Sequence, residues 1–190
     1  MKFVLAAVAA AATTLVFAGA ASAHAILSPP VAKAKVLQVF TLSVPTEEAG
    51  ATTTEIEMTV PSGLSIDSFA PSAGWKRTEQ ATGSGESAVI QKVTWTGGKV
   101  PTGEDSVFQF NGTLTSDKTV VVPVRQTYSS GKIVDWSGPE TSDTPAPRIE
   151  GVSNLGGSST STLTIVALIV GAIGVVLGIV GLATRGRPMT

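Results

Sequence analysis

The sequence predicts an all-β fold, an antiparallel Ig-like/cupredoxin-like β-sandwich, followed by one C-terminal transmembrane helix. Three observations predict it. Several short segments alternate polar and apolar residues at the period of a half-buried strand. Turn-forming Gly, Pro and Ser clusters separate them, and the soluble part keeps no sustained helical period. Leu163 to Ala183 then runs without a charged residue, matching the roughly 20 residues that cross a hydrocarbon core.

The elements follow in chain order. Lys2 and the apolar run Phe3–Ala20 lead into Ala21-Ser22-Ala23, an A-x-A cleavage signal with small residues at both recognition positions. Residues 1–23 therefore read as a signal peptide, the alternative being an uncleaved N-terminal anchor. Cleavage after Ala23 leaves His24 as the first mature residue. Strands are expected at Val36–Val44, Thr53–Val60, Ala88–Trp95, Ser106–Leu114, Thr119–Tyr128 and Ile133–Trp136. In Thr53–Val60, Ile56, Met58 and Val60 share one face and Glu55, Glu57 and Thr59 the other. Turns are expected at Pro61–Gly63, Thr82–Gly85, Gly97-Gly98 and Ser129–Gly131.

The folded domain is bounded at residues 24–150, with a Gly/Ser/Thr linker at 151–162, a transmembrane helix at 163–183 and a tail at 184–190. Arg185 and Arg187 directly follow the apolar run. The positive-inside rule puts them in the cytoplasm and the domain on the extracytoplasmic side, periplasmic or cell-wall. Gly174 and Gly178 have GxxxG spacing, which reads either as a homodimer face or as a plain Gly-rich span.

Composition excludes several function classes. The formal net charge is -1 with no basic cluster, so no nucleic acid partner is expected. With no cysteine, a disulfide framework, a thiolate metal site and a lipid-modified N-terminal Cys are excluded.

The chain has one histidine, His24. At a mature N-terminus its α-amine and imidazole Nδ1 can grip one metal ion as a chelate. Ordinary values of about 7.7–8.0 for an α-amine and about 6.5 for an imidazole make deprotonation inexpensive near neutral pH. Nitrogen donors favour Cu(II) among divalent first-row metals. Two nitrogens alone do not make a selective site, and no second His is available. Two readings stay open here: a metal-gripping N-terminus, or a His that cleavage happens to leave.

Motif order supplies a further argument. His24 begins HAILSPP directly after A-x-A; Phe40–Pro45 (FTLSVP) precedes Glu47-Glu48; Thr54–Gly63 is TEIEMTVPSG; Pro71–Trp75 is PSAGW. Val93-Thr94-Trp95, Gly103-Glu104 before Phe108-Gln109-Phe110, and Ile133–Pro145 (IVDWSGPETSDTP) follow. In this order and spacing the chain resembles the YcnI-like copper-binding domain family across essentially its whole length. The resemblance implies a mono-histidine brace for Cu(II), in which the amine and imidazole of His24 bind the metal and Trp136 lies close by. It implies Glu104 as a further ligand. Thr102 departs from the family's plain Pro-Gly before that residue. Asp135 is a competitor, but strand alternation turns it to the face opposite Trp136.

The remaining aromatics read as structural: Trp75 capping the core after a turn, Trp95 within it. Glu55 and Glu57 read as a solvated strand face, and Glu47-Glu48, Glu140 and Asp143 as solubilising loop residues.

The leading function is therefore an extracytoplasmic membrane-anchored protein of copper trafficking or homeostasis. Copper importers or periplasmic copper carriers are its expected partners. A metal-free surface adhesion or binding module is the alternative. No enzymatic activity is expected, because an oxidative copper enzyme uses a second His and a Ser/His/Asp triad needs a fixed one.

Overall fold

A computed structural model describes residues 24–85, 88–156 and 162–184. The segment expected to be a signal peptide, 1–23, and Arg185 and Arg187 lie outside the described residues. The chain divides into two compact units at Leu155/Gly156.

The first unit is built from twelve strands: β1 (Ile26–Ser28), β2 (Val31–Lys33), β3 (Leu37–Pro45), β4 (Thr52–Thr59), β5 (Leu64–Phe69), β6 (Lys76–Thr82), β7 (Val89–Pro101), β8 (Asp105–Leu114), β9 (Val120–Val121), β10 (Val124–Tyr128), β11 (Ile133–Trp136) and β12 (Arg148–Val152). They form sheets in the orders β1-β3-β8-β5, β11-β10-β4-β7-β6 and β2-β12-β9. Every strand pair is antiparallel except β2 with β12. The all-β antiparallel fold read from alternation is the fold observed.

Alternation explains the core. Phe40, Leu42 and Val44 of β3 and Phe108, Phe110 and Leu114 of β8 face inward from the first large sheet. Ile56 and Met58 of β4, Val93 and Trp95 of β7, and Val124 and Trp136 face them from the second. Trp95 stacks on Phe108 with ring centroids 4.2 Å apart, and Trp75 meets the same Phe108 edge-on at 5.1 Å. Glu57 lies on the outer face of β4 and pairs with Lys92 of β7 at 2.9 Å.

Three expectations need correction. Gly97-Gly98 is not a turn, because β7 runs through both residues to Pro101. The pair is there for space and bending. Gly97 has φ +87, and a Cβ on Gly98 would collide with the Trp75 indole. The expected strand Thr119–Tyr128 is two strands broken at Pro123, which lacks a ladder donor. β9 joins β12, while β10 joins β4 and β11. The six expected strands also omitted β1, β2, β5, β6 and β12; β6 is an exposed sheet edge with no inward face to reveal it. The last strand, β12, runs from Arg148 to Val152. Gly151 is packed there, with the Ser116 carbonyl oxygen 2.6 Å from where a Cβ would stand.

The second unit is the helix α1 (Thr162–Thr184). Thr164–Gly181 is long and apolar enough to cross a membrane. Gly171, Gly174, Gly178 and Gly181 share one face at alternating three- and four-residue steps.

Seating of Trp75 over Gly98 yields a test. Gly98→Ala is expected to destabilise the domain by about 1–3 kcal/mol through overpacking and to shift Trp75 emission to the red. Urea unfolding followed by fluorescence reads both, and unchanged stability would mean that Trp75 is not seated there.

Candidate metal site

β1 pairs with β3 through Ile26↔Ser43, Leu27↔Leu42 and Ser28↔Thr41. Continued two residues upstream, that register sets His24 level with Pro45. Ala25 and Leu27 alternate inward and are buried, so His24 projects from the edge and is exposed.

Trp136 arrives from the other large sheet. It ends β11, opposite Val124 of β10. The His24 and Trp136 rings are 6.5 Å apart, edge-on at 69°. Trp136 is only 1% exposed, so it forms a floor beneath His24 rather than a solvent-facing wall. Its neighbour Asp135 faces the opposite way and pairs with Arg125 at 2.7 Å. That carboxylate, first by hydrogen bond and then by charge, raises the Arg125 guanidinium above its ordinary value.

The only polar atom of Trp136 points into the protein. Nε1–H donates to Gln126 Oε1 at 2.9 Å. Gln126 is fully buried and donates its own amide to the Pro45 carbonyl at 2.8 Å and to Thr53 Oγ1 at 2.7 Å. The Thr53 and Thr46 hydroxyls share a further 2.7 Å hydrogen bond. Nearby, burial pushes the Tyr128 phenol above its ordinary value.

Glu104 lies at the same end of the first sheet but in a different hollow. The turn Pro101–Glu104 closes through Glu104 N–H to the Pro101 carbonyl at 3.1 Å, with Gly103 at φ +88. Thr102, the residue that departs from the family pattern, donates its hydroxyl to the Glu48 carbonyl at 2.5 Å. Thr46 anchors the turn in both directions, donating to the Glu104 carbonyl at 3.0 Å and accepting from Gly103 N–H at 2.9 Å. The Glu104 hollow is lined by Pro45, Thr46, Glu47, Thr102, Gly103 and Asp105. The structure therefore brings His24 and Trp136 together and sets Glu104 across Pro45-Thr46 from them.

The carboxylate that shares a groove with His24 is Glu140. This groove encloses about 360 Å³ between the β1 segment and Pro145–Arg148. Glu140 pairs with Arg148 Nη1 at 2.8 Å. Nothing in the sequence marks Glu140, which stands in a Pro-rich loop. Gln126 does have a signal, a polar residue at the inward parity of Val124 and Tyr128. Among the described residues no three His, Cys, Asp or Glu side chains come together.

An antiparallel β-sandwich with an exposed histidine above a buried tryptophan defines a class, an Ig-like β-domain. Residues 24–150 match the family described as a domain of unknown function, DUF1775, and the chain belongs to that family. It is similar to the copper-binding protein CutI of Bacillus subtilis (strain 168), with 28% identity over 194 residues covering 91% of each protein. It is also similar to the crystal structure of an uncharacterized protein from Nocardia farcinica described as having an immunoglobulin-like fold. That match has 28% identity and a TM-score of 0.57, over 68% of this chain and 98% of the other.

The buried indole hydrogen bond sets a measurable expectation. Trp136→Phe leaves Gln126 Oε1 without its partner, at an expected cost of about 1–3 kcal/mol. Chemical denaturation of the β-domain checks it.

Proposed function

We propose that this chain is an extracytoplasmic, membrane-anchored protein that binds Cu(II) through the N-terminal amine and imidazole of His24. The ion is cargo, received from or handed to copper importers or periplasmic copper carriers. The observation that carries the reading is the His24 ring above the buried Trp136, on the residue that directly follows an A-x-A signal. The name of the similar Bacillus protein supports the choice of metal.

The donor set fits a nitrogen-preferring ion. Among the described residues side chains alone gather too few ligands for a cage, and the α-amine released by cleavage supplies the second nitrogen. Trp136 supplies an apolar floor and a π-system that exclude water from one side and attract a cation. Glu140 lines the His24 groove, and Glu104 lies in the hollow that Glu47 and Asp105 also line; Glu104 is the proposed further ligand. In the precursor the His24 nitrogen is an amide, so binding depends on processing.

α1 holds the domain at the membrane, with Arg185 and Arg187 on the cytoplasmic side, and its glycine face at Gly174 and Gly178 suits a homodimer. We propose no catalytic role.

Two measurements test the reading. Mass spectrometry of the exported chain is expected to show His24 as the first residue; a chain still beginning at Met1 sinks the brace. Cu(II) titration is expected to show one-to-one binding with quenched Trp fluorescence. Tight binding should disappear when a single Gly precedes His24. Equal, weak binding by both forms would leave the metal-free adhesion module as the better account.

A further inference from the structure

We propose that Gln126 is the positioning residue of this site, the one side chain that holds the Trp136 floor, the strand beside His24 and the Glu104 turn in register. The proposal rests on the Cu(II) reading above and concerns how that site keeps its shape.

The case begins with the cost of the residue. A primary amide buried in a β-sandwich is unfavourable unless its hydrogen bonds are made. Val124 and Tyr128, the inward residues on either side of it in β10, show what the position ordinarily holds. Gln126 is fully buried and well satisfied: Oε1 accepts from Trp136, and Nε2 donates to Pro45 and Thr53.

Each partner leads to a different part of the site. Trp136 is the ring beneath His24. Pro45 belongs to β3, the strand that pairs with β1 and so sets the level of His24. Thr53 meets Thr46, whose backbone holds the Glu104 turn from both sides. These partners come from both large sheets, so the amide also ties the sheets together at the end where His24 stands. An apolar side chain at 126 would fill the space but leave the indole without an acceptor. Trp136 would then lose the one directional contact that fixes its tilt.

The experiment uses the full chain from His24 onward in detergent micelles, with its tryptophan indoles labelled with ¹⁵N. Trp75, Trp95 and Trp136 are the only tryptophans, and Trp136→Phe assigns the third resonance. Without metal, Gln126→Leu is expected to move the Trp136 indole N–H resonance and speed its exchange with solvent, leaving those of Trp75 and Trp95 in place. With metal, the native chain is expected to lose the Trp136 resonance first to paramagnetic broadening. The Leu variant is expected to bind Cu(II) roughly 10–100-fold more weakly, as when a group that orients a metal site is removed. Its EPR spectrum is expected to change.

Thr53→Val removes one anchor of the amide without touching Trp136. It is expected to produce smaller changes of the same sign, and it decides the matter if the Leu variant does not fold. A folded Gln126→Leu chain with native Cu(II) affinity and EPR spectrum overturns the proposal, and Gln126 is then a packing residue alone. A native chain that takes up no Cu(II) overturns the copper reading first, and this proposal falls with it.

Discussion

The parallel pairing of β2 with β12 is the constraint on which the rest of the domain depends. It joins Val31–Lys33 to Glu150–Val152, so the two ends of the β-domain are zipped to each other. A parallel pair cannot be closed by a tight turn; here the whole sandwich serves as the connection. Upstream of the zip the two chains part. One runs back through Pro30 and β1 to the β3 edge, and the other runs back from Arg148 through Pro145 toward Trp136. The wedge between them is the groove that contains His24 and Glu140. The pairing holds the two segments side by side, while β1 is seated on β3 and Pro147 accepts from Val122 N–H. The Arg148–Glu140 ion pair braces the far wall, although a surface pair of this kind contributes little by itself.

Within that frame the two rings of the site come from different sheets. His24 is placed by β1 on β3, and Trp136 by β11 on β10. Their approach is therefore a property of how the sheets pack face to face, and it needs something directional between them. Apolar packing is non-directional. The hydrogen bonds from Trp136 through Gln126 to Pro45 and Thr53 supply direction in a region of low dielectric, where a satisfied network is strong and an unsatisfied one costly. The domain carries this polar seam at one end and an aromatic cluster around Phe108 in its core. Trp136 belongs to both seam and core, a core side chain that also carries the seam's indole hydrogen bond.

What could be read from the sequence follows from which forces act locally. Thr53–Val60 was legible because one face of β4 is buried and the other wet. His24 stood out because the A-x-A pattern before it is local. Leu163–Ala183 was legible because crossing hydrocarbon needs only length and apolarity. β6 was not, since an edge strand with every residue exposed has no alternation to show. Gly97-Gly98 misled because glycine serves turns and close packing alike. Only the approach of Trp75, distant in sequence, distinguishes them. Trp136 entered through family resemblance, and its depth beneath His24 could be known only from sheet packing. Gln126 sat at an inward parity in plain view, but parity cannot say whether a polar side chain will find partners. Glu140 had no local mark, because its position is set by the wedge between chain ends.

On the proposed reading, export and competence are one event. The His24 nitrogen is an amide until the bond after Ala23 is cut, and an amide nitrogen is not the neutral amine donor the site requires. A chain still inside the cell thus lacks half of its nitrogen pair, whatever the local copper level. After cleavage the donors appear on an exposed residue whose lower side is closed by Trp136 and whose upper side is open. A closed cage would hold an ion strongly and release it slowly. A two-nitrogen grip with an open face lets an incoming ligand attach before the old bonds break, the requirement for transfer between proteins without a free ion. The buried indole and its amide then act on the closed side, where water would otherwise compete, and leave the exchange side to the partner.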